Sequence, residues 1–84
     1  HGIRVNAVSP AGVWTPMLRH WCSEHPDPAS TERYLNELHP LGYCPEGDTI
    51  ADACVFLFSE KARFINGHIM NVSGGAELGY RRNA

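Results

Sequence analysis

The first ten residues, HGIRVNAVSP, place Ile3, Val5 and Val8 in a nearly continuous run of apolar and small side chains. Such a run, rich in β-branched residues and without clean alternation, predicts a parallel strand covered on both faces, here residues 3–9. Pro10 has no N–H to give to a ladder and is expected to end it. The pattern then turns helical. PMLRHWCSE (16–24) reads as a short helix with proline in its first turn, and HPDP (25–28) breaks it. ASTERYLNELH (29–39) reads as a second helix, capped by Ser30 or Thr31, with Tyr34, Leu35 and Leu38 on one face. PLGYCPEG is turn chemistry, with two prolines and two glycines.

The clearest periodic signal is DTIADACVFLFSEKA (48–62), where Ile50, Ala53, Cys54, Leu57 and Phe58 recur at helical spacing. Asp48 is the expected N-cap, and Lys61 and Arg63 suit the C-terminal end electrostatically. Asn66-Gly67 is a turn pair, HIMNV (68–72) a short strand closed by Gly74-Gly75, and AELGYRRNA a tail.

The order is strand, long helical excursion, helix, strand, which is an α/β pattern. Strands separated by so much helix should be parallel and joined by a right-handed crossover. Two strands are too few for an independent sheet, so the partner strands are expected in a part that precedes this sequence. In open parallel sheets, ligands sit outside the carboxyl ends of the strands. SPAGVWT leaves such an end. Gly12 removes a side chain and lets backbone approach a flat ligand. The N–H and C=O of Val13 are free to bond a carboxamide, and Thr15 has a hydroxyl to donate to a phosphate or carboxamide oxygen. The same residue types also make an ordinary strand-end turn.

Composition narrows the class. The chain has 84 residues, a net charge of −2 and 43% hydrophobic residues, a globular balance with no basic excess that would point to nucleic acid. No apolar stretch approaches the about 20 residues of a membrane helix. The sequence begins at His1, close to a strand and without a leader, and reads as a piece of a longer protein. Three cysteines, Cys22, Cys44 and Cys54, with no CxxC pair favour a reducing, cytoplasmic compartment and read as small apolar side chains. His20, Cys22 and His25 lack the paired spacing of a metal site, and none is expected. Trp14, Met17, Leu18 and Trp21 form an apolar cluster, either a satellite core or a lid over a substrate.

HGIRVNAVSPAGVWTPM, the later LG, and IADACVFLFSEKARFINGHIMNVSGG resemble, in order, three motifs from the C-terminal third of the short-chain dehydrogenase/reductase family. The resemblance covers nearly the whole chain. It implies the C-terminal part of a doubly wound, Rossmann-like parallel sheet that binds NAD, or alternatively NADP, and interconverts an alcohol and a ketone. It lays the loop after the first strand against the nicotinamide. Pro10, Ala11, Gly12, Val13, Thr15 and Met17 become cofactor-binding candidates, with the carboxamide on the Val13 backbone. Trp14, Leu18 and Trp21 become substrate-binding candidates in the family's variable loop, suited to a hydrophobic alcohol or ketone such as a steroid. Asn6, Gly67 and Gly74 match structural positions.

The chain departs from the pattern at four places, one being the start of the last helix, where the family's Pro-Glu-Glu is Gly47 to Thr49 and the Pro-Glu is displaced to Pro45-Glu46. Ala11 stands where the family has glycine, Tyr43 where it has arginine, and Ser73 where it has aspartate. A positive φ at Ala11 would strain its Cβ, unless Gly12 takes over that freedom. The family's Gly-rich loop, catalytic serine and Tyr-x-x-x-Lys pair fall outside this segment. Tyr34 has Leu38, not lysine, four residues on. No catalytic residue is therefore expected here, and the 84 residues alone should be inactive. The resemblance also implies a homodimer or homotetramer built on the last helix and strand, with contacts from Phe56, Phe64 and Ile65; Phe58 is expected in the core. The competing reading is a non-catalytic module that assembles with full-length subunits.

Overall fold

Two four-residue strands, β1 (Ala7–Pro10) and β2 (Ile69–Val72), pair in parallel with Ala7 opposite Ile69 and Pro10 opposite Val72. The structure is a computed structural model and describes residues 2–79. Between the strands lie α1 (Pro16–Ser23), α2 (Pro28–Glu37) and α3 (Gly47–Phe58), followed by a single 3₁₀ turn at Glu60–Ala62. A second 3₁₀ turn, Ala76–Leu78, follows β2, and the tail beyond Gly79 lies outside the described residues.

The ladder starts four residues later than the expected strand and includes Pro10 as its last member. Residues 3–6 instead run beside the turn that feeds β2 and are stitched to it by side chains. Arg4 donates from Nη1 to the Ile65 carbonyl and from Nη2 to the Leu57 carbonyl, both at 3.0 Å. The second bond satisfies one of the orphan carbonyls at the end of α3. Asn6 donates to the Ile65 carbonyl at 3.1 Å and accepts from the His68 N–H at 2.9 Å. Asn66 accepts from the Val5 N–H at 3.0 Å. Gly67, at φ 71°, donates to the Val5 carbonyl at 2.8 Å. That left-handed φ is open to glycine and strained for most other residues.

The helix starts differ from expectation. Asp27 caps α2, accepting from the Ser30 N–H at 3.3 Å, and Pro28 occupies the first turn. The HPDP segment thus starts a helix as well as ending one, and neither Ser30 nor Thr31 is the cap. The residue before α3 is Glu46, whose side chain makes no cap bond, and Asp48 lies inside the helix, bonded to the Thr49 N–H at 2.9 Å. α3 stops at Phe58 because Ser59 turns extended, at ψ 163°, and its hydroxyl bonds back to the Phe56 carbonyl at 2.6 Å. Lys61 and Arg63 therefore lie past the helix and not in its last turn.

Trp14, Cys22 and Cys44 form the main buried cluster, with Leu18 and Leu35 packed against it. Leu57 and Ala62 are buried at the other end. Phe58 is 85% exposed, against expectation. It follows Leu57 by one residue, about 100° around the helix, and so leaves the buried side. The whole is a slab of 54 × 28 × 15 Å with a radius of gyration of 15.6 Å. A compact domain of this length has about 12 Å. No helix among the described residues is long and apolar enough to cross a membrane.

The two bonds of Asn6 set a measurable contribution. Asn6→Ala leaves the Ile65 carbonyl and the His68 N–H without these partners and should lower unfolding free energy by about 2 kcal/mol. The expected result in a urea titration is a lower midpoint at unchanged slope.

Candidate functional site

At the carboxyl end of both strands three segments converge: residues 11–15, residues 39–46, and the Gly74-Gly75 pair. Gly42 closes a turn by donating to the His39 carbonyl at 2.7 Å, with Pro40 at the favoured second position. Leu41 then donates to the Gly74 carbonyl at 3.1 Å, tying this turn to the end of β2.

The same segment runs along residues 11–14. The Gly12 N–H donates to His39 Nε2 at 3.0 Å, and the Trp14 N–H donates to the Pro45 carbonyl at 2.8 Å. Trp14 also forms a parallel bridge with Glu46. His39 is 3% exposed, and its Nδ1 lies 3.1 Å from the Leu35 carbonyl near the end of α2. A neutral ring with its proton on Nδ1 satisfies both contacts, donating to Leu35 and accepting from Gly12. Val13 lies between the two anchored amides, and among the described residues no hydrogen bond engages its own N–H or C=O.

Thr15 caps α1: its Oγ1 accepts from the Leu18 N–H at 3.1 Å. An accepting hydroxyl still has its proton to donate. Arg19 pairs with Glu46 and places its guanidinium 5.0 Å from the centre of the Trp14 ring, which clamps α1 to the start of α3. Beneath the loop, Cys44 donates its N–H to Asn36 Oδ1 at 2.8 Å, and its Sγ lies 3.5 Å from the Leu35 carbonyl. Burial pushes the Cys44 thiol above its ordinary pKa and keeps it neutral.

Ala11 is not strained, because no described residue other than glycine has a positive φ. Gly12 has no positive φ either. Its glycine is required by space: a Cβ there would sit 2.9 Å from His39 Cε1 and 3.0 Å from Cys44 Sγ.

The other candidates separate. Trp14 is buried in the core cluster, and Leu18 is partly buried and packs against that cluster. Met17 and Trp21 are exposed on α1. The Trp21 ring meets His25 edge-on, with centroids 4.1 Å apart. His25 Nδ1 lies 2.8 Å from the Trp21 carbonyl, and His20 pairs with Glu24. Among the described residues no three His, Cys, Asp or Glu side chains gather as metal ligands. A cavity of about 470 Å³ is lined by His39, Pro40, Leu41, Tyr43, Val72 and Ser73 among others. None of the candidate residues lines it. Sequence reasoning missed His39 altogether, and its only signal is its setting between Leu38 and Pro40-Leu41, an apolar neighbourhood unusual for a surface histidine.

The family model described as Enoyl-(Acyl carrier protein) reductase matches residues 1–77. This chain belongs to the short-chain dehydrogenase/reductase family. Among curated members of that family, the L-fucose dehydrogenase of Bos taurus is 44% identical over 84 residues, which is 100% of this chain and 31% of the relative. The 2,5-dichloro-2,5-cyclohexadiene-1,4-diol dehydrogenase of Sphingobium indicum is 43% identical over 75 residues, 89% of this chain and 29% of the relative. The short-chain dehydrogenase/reductase chain thus spans about a third of the length of the curated relatives it matches. A short chain dehydrogenase family protein from Francisella tularensis matches its structure with a TM-score of 0.84 at 26% identity, over 92% of this chain and 34% of that one. ElxO, solved with NADP bound, matches with a TM-score of 0.76 at 28% identity, over 92% of this chain and 30% of that one. The parallel pair and its helices are accordingly part of the α/β, Rossmann-like fold of the family.

Two outcomes follow from the packing beneath the loop. Gly12→Ala forces His39 or Cys44 aside and should destabilise the protein by about 1–3 kcal/mol, read as a lower denaturation midpoint. Cys44 has a raised pKa in the folded state, so the folded form holds its proton more tightly than the unfolded one. Its contribution is complete below about pH 9.0, the ordinary thiol value, and is lost as pH rises through the folded value. Stability should fall more steeply above that pH in the wild type than in Cys44→Ala, measured by denaturant titration at each pH.

Proposed function

We propose that this chain is the C-terminal part of an NAD-dependent oxidoreductase that interconverts a secondary alcohol and a ketone. NADP, the cofactor bound in ElxO, is the alternative. One observation carries the reading: Val13 presents an N–H and C=O unengaged among the described residues, between two anchored amides, at the carboxyl end of a parallel pair. A carboxamide offers the complementary acceptor and donor, and a nicotinamide carries one. Gly12, which has no room for a Cβ behind it, keeps the loop low. The nicotinamide, when bound, supplies the hydride acceptor or donor.

The chain's own residues bind and orient. Val13 fixes the carboxamide and with it the face of the ring. Thr15, with its lone pair on the Leu18 N–H, aims its proton at a carboxamide or pyrophosphate oxygen. Pro10 and Ala11 supply the backbone wall, and Met17 stands exposed on the first turn of α1 at the same edge. The family's Tyr-x-x-x-Lys pair and catalytic serine fall outside this segment, so the 84 residues alone are proposed to be inactive.

For the substrate we propose a secondary hydroxyl carried on a ring. The relatives named above are an L-fucose dehydrogenase and a cyclohexadiene-diol dehydrogenase. The segments VWTP and GGAELGY resemble 17-beta-hydroxysteroid dehydrogenase type 14, whose substrate class has the same feature. Trp21, exposed on α1, is the proposed substrate contact, with Trp14 and Leu18 supporting α1 from below. Exposed Phe56 and Phe64 are proposed to lie in a homodimer or homotetramer contact. The unpaired cysteines accord with a cytoplasmic setting.

The test uses Thr15 in the enzyme that contains this segment. Thr15→Val removes both the cap and the donor, and should cost α1 about 1 kcal/mol. Thr15→Asp keeps a capping acceptor but has no proton to give and adds a charge that opposes a pyrophosphate. Thr15→Ser keeps both functions. NADH titrated by fluorescence should bind about tenfold more weakly to the Val and Asp variants and normally to Ser. Unchanged binding by Thr15→Asp would remove the donor role.

A further inference from the structure

We infer that His39 is a positioning residue for cofactor binding: it holds the Gly12 amide and thereby turns the Val13 peptide groups toward the nicotinamide. The inference rests on the cofactor reading of the loop and assigns to it a residue that lies 27 positions away in sequence.

The geometry is specific. His39 Nε2 accepts from Gly12 at 3.0 Å, and Nδ1 faces the Leu35 carbonyl at 3.1 Å. With one ring edge on α2 and the other on the loop, the imidazole is a strut whose tautomer is set by the Leu35 contact. Its ring also fills the space in which a Gly12 Cβ would stand, with Cε1 2.9 Å from that position. Successive peptide groups of an extended backbone face opposite ways. When the Gly12 and Trp14 N–H groups are both drawn toward residues 39–46, the peptide groups of Val13 face the other way. One anchor, at Trp14, is a backbone bond to Pro45 and survives any side-chain change. The other is the His39 ring. The His39 ring therefore links the Leu35 carbonyl of α2 directly to the Gly12 amide.

Four forms of the enzyme containing this segment decide the matter. His39→Leu fills the space and has no acceptor. His39→Asn keeps a donor near the Leu35 carbonyl but is too short to reach Gly12. His39→Gln places an amide oxygen where Nε2 stood. Leu57→Ala, a cavity at a buried site in α3, matches or exceeds the loss of stability without touching the loop.

The expected result is about tenfold weaker NADH binding, and a matching rise in KM for the cofactor at near-normal kcat, in His39→Leu and His39→Asn. His39→Gln recovers most of the affinity, and Leu57→Ala lowers Tm with the affinity intact. Unchanged affinity in His39→Leu and His39→Asn overturns the role of His39, as does an equal loss in Leu57→Ala, which would make the effect one of general stability. If His39→Leu does not fold, His39→Asn against His39→Gln gives the same comparison. Failure of the wild-type enzyme to bind NADH or NADPH overturns the cofactor reading itself, and His39's role with it.

Discussion

Parallel strands cannot be joined by a tight turn, and that constraint organises everything between residues 10 and 69. The chain leaves the carboxyl end of β1 and must re-enter at the amino end of β2, so it needs a long excursion and a defined way back. The ladder itself is only four residue pairs. Side-chain bonds brace it at both ends. At the entrance, Arg4, Asn6 and Asn66 hold the start of β1 to the turn that feeds β2. At the exit, the 39–42 turn is tied to Gly74 on one side and, through His39, to Gly12 on the other. The Arg-Val-Asn stretch is thereby explained by bonds to backbone carbonyls and not by any reacting group.

The exit brace is also what shapes the loop. The 39–46 segment lies along residues 11–14 and takes the amides of Gly12 and Trp14, the two residues that flank Val13. Thr15 follows at the N-cap of α1, so its hydroxyl is oriented by the helix it starts. A hydroxyl in a cramped apolar turn is thus accounted for by the helix it starts, where it accepts from the Leu18 N–H. The core cluster of Trp14, Cys22 and Cys44 sits directly beneath, so loop geometry and packing are one problem.

The elements with strong local signals were legible in the sequence. The parallel pair, α1, α3 and the Asn66-Gly67 turn all follow from periodicity and turn chemistry. What was not legible depends on contacts distant in sequence. Asp27 reads as part of a breaker because prolines flank it, yet a proline at the first helical position is compatible with a helix start. The ladder begins at Ala7, not Ile3, because register is set by Asn6 and the 65–68 turn, neither of which shows in hydrophobic pattern. Phe58 is apolar and adjacent to a buried residue, and one position on a helix carried it to the exposed side. His39 showed nothing beyond its apolar neighbours, Leu38, Pro40 and Leu41, since a lone histidine after a helix looks much the same whether buried or solvated.

The glycine question in the loop resolves the same way. A family glycine is naturally read as a demand for positive φ, and Ala11 then looks strained. The backbone at Ala11 has no such φ, so the alanine carries no conformational penalty. The demand for a missing side chain falls one residue later, at Gly12, and it is spatial. Two side chains, His39 and Cys44, already occupy the place of its Cβ. A loop can need a small residue for torsion or for space, and only the second ties it to a particular partner. Here the partner is a buried histidine, so Gly12 and His39 are constrained as a pair: enlarging the one displaces the other, and with it the amide on which the orientation of Val13 depends.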